Sequence, residues 1–368
     1  MKIVIDRKIP GLEEALRAEI FKEIGILALE GKDIRPEHIA DADALLVRTR
    51  TRCDASLLDG SKVKLIGTAT IGTDHIDLDW CRSNNISVVN APGCNAPAVM
   101  QYVASCLHEA GFNPARHTLG VIGKGNIGSL VTELYRRAGC KVLVCDPPRK
   151  DAGFTDEDYI SLEALLENSD AVTFHVPYTK NSDSQIYSTH AVRHLYPTHH
   201  LLSGELPDRP KIIVNASRGP IIDYNIIFKE WERRKFIIDT WPFEEYPDSF
   251  NKKDIISLLK MAFISTPHIA GYSIEGKRRA TDAMLNAIAS LSGNTCSPCR
   301  GSEFHKISYL SEVKAKALIP LQTVIDSFSP TELSKTLKRN PLDFEFIRSS
   351  HLRHEPHTDS IHSLSDYC

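Results

Sequence analysis

The chain has 368 residues, 42% apolar and 25% charged, with a formal net charge of −3. That balance describes an ordinary globular protein, with room for two or three domains. A charge so near neutral provides neither a nucleic-acid footprint nor a basic membrane-binding face, and no run of about 18 apolar residues exists to span a bilayer.

In chain order, KIVID (2–6) reads as a strand and LEEALRAEIFKEIG (12–25) as an amphipathic helix stopped by glycine. ALLVRT (44–49), KLIGTA (64–69) and ISVVN (86–90) read as strands, with DLDWCRSNN (77–85) helical between the last two. A long helix, NAPAVMQYVASCLHEAG (95–111), precedes a second alternating series. TLGVIG (118–123), KVLVCD (141–146), AVTFHVP (171–177), KIIVNAS (211–217), FIIDTW (236–241) and FISTP (263–267) are its strands, and RRATDAMLNAIASLSG (278–293) closes it as a helix. Alternation of this kind predicts α/β architecture: two Rossmann-like lobes with parallel sheets. Past Gly293 the texture turns to NTCSPCRGSEF and a His- and Arg-rich tail, read as a separate small α+β module over 294–368.

The sharpest motif is GVIGKGNIG (120–128), which places Gly123, Gly125 and Gly128 at G-x-G-x-x-G spacing between a strand and a helix. The first glycine permits the turn, the second lets backbone approach a pyrophosphate, and the third lets helix and strand pack closely. The helix start then offers free N–H groups and a positive dipole end to phosphates. Asp146 stands 18 residues after Gly128, at the tip of the next strand, where a carboxylate accepts both ribose hydroxyls and repels a 2′-phosphate. Strand, loop, helix, strand and acid in this order predict NAD binding, in preference to NADP despite Arg149 nearby.

Three more motifs follow strands. NASRGPIID (215–223) carries Arg218, DTWPFEEYP (239–247) carries Glu244 and Glu245, and STPHIAGYS (265–273) carries His268. Strand C-termini of open α/β sheets face the ligand crevice, so these residues are expected to converge. Their chemistry suits hydride transfer from a hydroxy acid. A histidine takes the hydroxyl proton, a carboxylate fixes its tautomer, and an arginine fork pairs with the substrate carboxylate.

With GKGNIG, HVP (175–177), NASRG, DTW and TPHIAG, the chain resembles the NAD-dependent D-2-hydroxyacid dehydrogenases. LLVRTRT (45–51), GTATIGTDHIDLDWC (67–81), NAPGCNA (90–96), CDPPR (145–149), PHIAGYSIEGK (267–277) and the tail NPLDFEFIRSSHLRHE (340–355) narrow the resemblance to its erythronate-4-phosphate dehydrogenase branch. The resemblance implies oxidation of 4-phospho-D-erythronate with NAD, in pyridoxal 5′-phosphate (vitamin B6) biosynthesis. It implies a substrate-binding lobe over 1–97 and 270–293, an NAD-binding domain over 98–269, and a dimerisation domain over 294–368 that makes a homodimer. By motif match Arg218 binds substrate, His268 exchanges the proton, and Glu244 orients it, with Glu245 as the alternative. Gly123, Gly125, Asn126, Ile127, Gly128, Asp146, Val176, Ala216, Ser217, Asp239 and Gly271 would line NAD; Thr49, Thr68 and Tyr272 would contact substrate. The stretch from Arg218 to Asp239 is shorter, and that from the acid to His268 longer, than in the family. A dehydrogenase of another 2-hydroxy acid, such as 3-phosphoglycerate or D-lactate, and a non-enzymatic NAD-binding regulatory protein are the competing readings.

Arg48, Arg50 and Arg52 alternate, so a strand continuing that far would set them on one face as candidates for the substrate phosphate. Cys296 and Cys299, one C-x-x-C pair, are too few for a zinc site. The histidines at 190, 194, 199 and 200, and at 351, 354, 357 and 362, read as surface, so no metal is expected. Nine scattered cysteines suit free thiols in a reducing cytosol, and MKIVIDRKIP breaks its apolar run with charges, unlike a signal peptide. A cytoplasmic location is the expectation.

Overall fold

The computed structural model describes residues 1–17, 21–177, 207–245, 247–292 and 313–356. The chain divides into two compact units, Met1–Asn95 with Ser273–Val313 and Ala96–Tyr272 with Lys314–Cys368. The first holds five parallel strands, β1 (Lys2–Asp6), β2 (Gly25–Leu29), β3 (Ala44–Val47), β4 (Leu65–Thr68) and β5 (Ser87–Val89), in the order β2-β1-β3-β4-β5. Alternate residues of each strand serve opposite faces. Ile3, Ile5, Ala44 and Leu46 pack with Leu12, Leu16 and the Met284 and Ile288 side chains of the Ile274–Leu291 helix. Val4, Leu45, Val47 and Ile66 pack with Ile39, Leu57, Leu58 and Cys81 on the other side.

Two expectations change here. The helix expected over 12–25 spans only Leu12–Leu16, and Gly25–Leu29 instead forms the edge strand, with Lys2 opposite Gly25. GILAL is a short apolar run that pairing to β1 satisfies, and a helical pattern upstream cannot exclude that. Strand β3 ends at Val47, and Thr51 N–H turns back to the Arg48 carbonyl at 3.2 Å, so no extended backbone sets Arg48, Arg50 and Arg52 on one face.

The second unit holds β6 (Thr118–Ile122), β7 (Lys141–Cys145), β8 (Ala171–Phe174), β9 (Ile212–Asn215), β10 (Lys235–Ile238) and β11 (Ile264–Ser265). All are parallel, in the order β11-β10-β9-β8-β6-β7. Since β7 and β8 flank β6, the strand order reverses at β6, the switch point where open α/β sheets bind ligands. The core gathers Phe174, Ile213, Phe236, Ile238, Trp241 and Leu258.

The described part of the tail is helical, with Leu321–Asp326, Thr331–Arg339 and Phe344–Ser350, and it belongs to this second unit rather than standing apart. Leu337, Phe344 and Ile347 join the core cluster. The Ser334 hydroxyl accepts the Ser265 N–H at 2.9 Å. Arg353 is 8% exposed. Its guanidinium donates to Gln101 Oε1 (2.8 Å) and to the carbonyls of Ala98 (2.9 Å), Ile269 (2.8 Å) and Ala270 (2.6 Å), with its cation 4.4 Å from the Phe328 ring centroid. Burial lowers its pKa to about 10, against the pull of Asp239. The strands expected within 294–368 do not occur among the described residues; the amphipathic pattern of Thr331–Arg339 turns Ser334 and Leu337 inward as a helix does.

Replacing Arg353 with Met leaves three carbonyls and an amide oxygen without their donor. The expected loss is about 3 kcal/mol of stability, read as a lowered midpoint in chemical denaturation of the full chain.

Candidate active site

The glycine loop joins β6 to the Asn126–Arg137 helix. Gly123 has φ +88°, and a Cβ there would lie 2.7 Å from the His175 carbonyl oxygen, so only glycine makes this turn beside β8. At Gly128 a Cβ would sit 1.9 Å from the Gly123 carbonyl oxygen, which fixes how closely the helix approaches the loop. Gly125 differs. Its φ is −76°, and a Cβ would meet nothing within 4 Å, so nothing in the protein itself requires glycine there. It is exposed at a helix start with no side-chain cap, a cradle of free N–H groups suited to an anion.

Asp146 holds this loop. Its Oδ2 accepts the Lys124 N–H at 2.7 Å and its Oδ1 the Arg149 N–H at 3.1 Å, capping helix Pro147–Asp151. The Lys124 ammonium turns away to Asp156 (3.1 Å) and Glu157 (3.0 Å). Arg149 is engaged by the Tyr159 hydroxyl (3.0 Å) and Asp156 (3.2 Å), which puts its guanidinium on the same acidic cluster.

The other three loops leave the neighbouring strands β9, β10 and β11. After β9, the buried Asn215 donates to the Arg218 carbonyl at 2.9 Å and accepts the Ser217 N–H at 3.1 Å, shaping the turn that presents Arg218. The Ser217 hydroxyl donates to the Val176 carbonyl, so Val176, Ala216 and Ser217 lie together at the ends of β8 and β9. A Cβ on Gly219 would lie 2.2 Å from the Trp241 backbone. This close approach presses the Arg218 loop against the start of helix Pro242–Glu245, which carries Glu244.

After β11 the chain turns at His268, whose φ of +55° is a left-handed conformation uncommon for a residue with a side chain. Asp239 holds that turn from beneath. Its backbone carbonyl accepts the His268 N–H at 2.8 Å. Its fully buried carboxylate accepts the N–H groups of Ile269 and Ala270, both at 2.8 Å, and the Thr266 hydroxyl at 2.6 Å. Gly271 and Tyr272 follow, half-buried.

His268 Nδ1 meets Glu244 Oε2 at 2.8 Å, and Glu244 Oε1 accepts the Trp241 N–H at 2.9 Å. Burial pushes the Glu244 carboxyl up, but His268 and then Arg348 pull it below the usual carboxylate range, so it is held ionised. Arg348, from the tail, lies 3.4 Å from the same Oε2 and donates to the Tyr272 hydroxyl at 3.0 Å. Sequence reasoning missed this arginine, since no local spacing links residues about a hundred apart. The pairing closes despite the altered spacings between motifs, and it engages Glu244.

In the first unit, Thr49 is exposed and Thr68 fully buried, its hydroxyl 2.7 Å from that of Thr70 and 3.0 Å from His75 Nε2. Arg48 pairs with the buried Asp6 at 2.9 Å and Arg52 with Asp54 at 2.6 Å. Among the described residues no His, Cys, Asp and Glu group is arranged to hold a metal, and no helix is long and apolar enough to cross a membrane. Cys296, Cys299 and the histidines at 190, 194, 199, 200, 357 and 362 lie outside the described residues.

Residues 12–299 match the family described as D-isomer specific 2-hydroxyacid dehydrogenase, catalytic domain. The chain is 40% identical over 295 residues to an erythronate-4-phosphate dehydrogenase of Bacteroides fragilis, covering 78% of this chain and 79% of that one. It is 38% identical to that of Bacteroides thetaiotaomicron over 96% of this chain and 97% of the relative. Among solved structures, a cofactor (NAD+)-bound 3-phosphoglycerate dehydrogenase of Entamoeba histolytica is similar at 26% identity and a TM-score of 0.60, over 80% of this chain and 96% of that one. D-lactate dehydrogenase of Aquifex aeolicus shares the fold at 22% identity and a TM-score of 0.60, over 80% and 96%.

The glycines separate by experiment. Gly128→Ala is expected to cost on the order of 2 kcal/mol through overpacking, and Gly125→Ala less than about 1 kcal/mol; denaturation of the two variants measures both.

Proposed function

Because the chain belongs to the D-isomer specific 2-hydroxyacid dehydrogenase family, we propose that it oxidises 4-phospho-D-erythronate to (R)-3-hydroxy-2-oxo-4-phosphooxybutanoate with NAD, a step toward pyridoxal 5′-phosphate. The observation that carries the reading is the His268–Glu244 contact at 2.8 Å, on strand ends beside the Arg218 loop. The names of the relatives support the substrate, and the match to one of them over 96% of the chain takes in the tail as well.

The second unit suits NAD. The loop around Gly123, Gly125 and Gly128, with Asn126 and Ile127 opening the helix, would hold the pyrophosphate. Asp146 has lone pairs left for ribose hydroxyls, and Val176, Ala216, Ser217 and Gly271 would line the remaining strand ends; Asp239, expected among them from the sequence, is instead fully buried behind the His268 turn. Bound there, NAD supplies the acceptor for the hydride that leaves C2. Arg218 pairs with the substrate carboxylate and polarises the C2 oxygen. Glu244 on Nδ1 fixes the imidazole so that Nε2 takes the hydroxyl proton; Tyr272 would contact the substrate.

A homodimer through the tail is part of the same proposal. Leu342, Phe346 and Leu352 are 62%, 72% and 47% exposed, an apolar surface of the kind a second copy covers.

Four measurements test this. NADH absorbance should rise with 4-phospho-D-erythronate, a trap for the 2-oxo acid being present, and stay flat with 3-phosphoglycerate and D-lactate; turnover of either alone overturns the substrate. His268→Asn should lower kcat at least about a hundredfold, while Gly125→Ala should weaken NAD binding about tenfold in calorimetry with the fold kept. In sedimentation, Phe346→Asp with Leu342→Asp should convert dimer to monomer.

A further inference from the structure

We propose that Arg348 is a positioning residue of the active site, a cation that the C-terminal segment places on the carboxylate shared with His268. The inference rests on the proposed dehydrogenase reading, since it gives the imidazole its proton-accepting task.

The geometry is specific. Arg348 lies on the Phe344–Ser350 helix and is 19% exposed. It reaches Glu244 Oε2 at 3.4 Å, the Tyr272 hydroxyl at 3.0 Å and Glu345 Oε1 at 3.5 Å. One carboxylate oxygen therefore serves an imidazole and a guanidinium together. The charged groups around the pair come from four elements. Glu244 stands on the Pro242–Glu245 helix, His268 on the loop after β11, Tyr272 on the turn beyond it, and Arg348 with Glu345 on the tail helix. Behind the loop Asp239 is buried, with Arg353 on the carbonyls of Ile269 and Ala270.

This arrangement has a sign. A half-buried carboxylate beside an imidazole draws a proton onto the ring. A guanidinium on the same oxygen offsets that charge, so the pair releases its proton at lower pH. Oxidation needs Nε2 without a proton at the start, and the charge of Arg348 on the shared carboxylate works in that direction. The tether to Tyr272 also fixes the direction from which Arg348 meets Glu244.

Three full-length variants test the role. Arg348→Met removes the cation. Arg348→Gln keeps a stem and a donor, and it carries the same test should the first variant not fold. Arg348→Lys retains the charge. In the oxidation direction, the acid limb of kcat/KM is expected to move up by about one pH unit in the Met and Gln variants. Their kcat should fall about tenfold at neutral pH, with KM for NAD within about twofold. The Lys variant should keep the limb where it is. A neutral variant whose limb stays at the parent's pH, however slow it is, overturns the proposal, because a purely structural support lowers rate without moving titration. The imidazole 15N signal of His268, identified by its loss in His268→Asn, should shift its titration the same way without turnover. Should the parent oxidise no 2-hydroxy acid, the dehydrogenase reading falls while this titration still decides the place of Arg348.

Discussion

The site depends on a carboxylate that no solvent reaches. Asp239 takes three hydrogen bonds from the chain between Thr266 and Ala270 and, through its backbone, a fourth from His268. Without that set the left-handed backbone at His268 would relax toward an ordinary conformation, since such strain persists only where the surroundings over-determine it. The tyrosine hydroxyl of Tyr102, 2.7 Å from Thr266 Oγ1, extends the network into the helix Ala96–Glu109. Asp239 is thus less an isolated group than the fixed point from which the imidazole is aimed.

Sheet order does the rest. Because β9, β10 and β11 are consecutive neighbours, three loops remote in sequence emerge side by side, and each is then pinned by a different device. Asn215 shapes the loop of Arg218, Gly219 lets it press on the Trp241 backbone, and the Trp241 indole donates to the Thr266 carbonyl at 2.9 Å. The glycine loop opens off β6, at the other side of β8 from β9. A parallel sheet whose helices cover both faces leaves its strand ends as the place where polar groups gather.

How much of this was legible from the sequence follows the range of each signal. The glycine loop and Asp146 rest on local spacing and were readable from it, though the grip of Asp146 on the Lys124 N–H was not. Arg218, Glu244 and His268 were individually ambiguous; a strand before each and the family resemblance singled them out. The edge strand Gly25–Leu29 escaped because a helical pattern ran into it. The arginine row after Ala44–Val47 dissolved because periodicity predicts a face only while the strand lasts. Arg348 and Arg353 carried no local signal at all, since their partners lie far back in the chain and are found only by folding.

The tail arginines bear on what counts as a unit of inheritance in this chain. The match to the catalytic-domain family ends at residue 299, yet Arg348 touches Glu244 and Arg353 caps the carbonyls just past His268. A recombination boundary at residue 299 would therefore sever the catalytic-domain match from groups that contact its His268 loop and Glu244. The appendage and the core must drift together, and a tail borrowed from a different relative would have to bring its own matched pair of guanidinium groups.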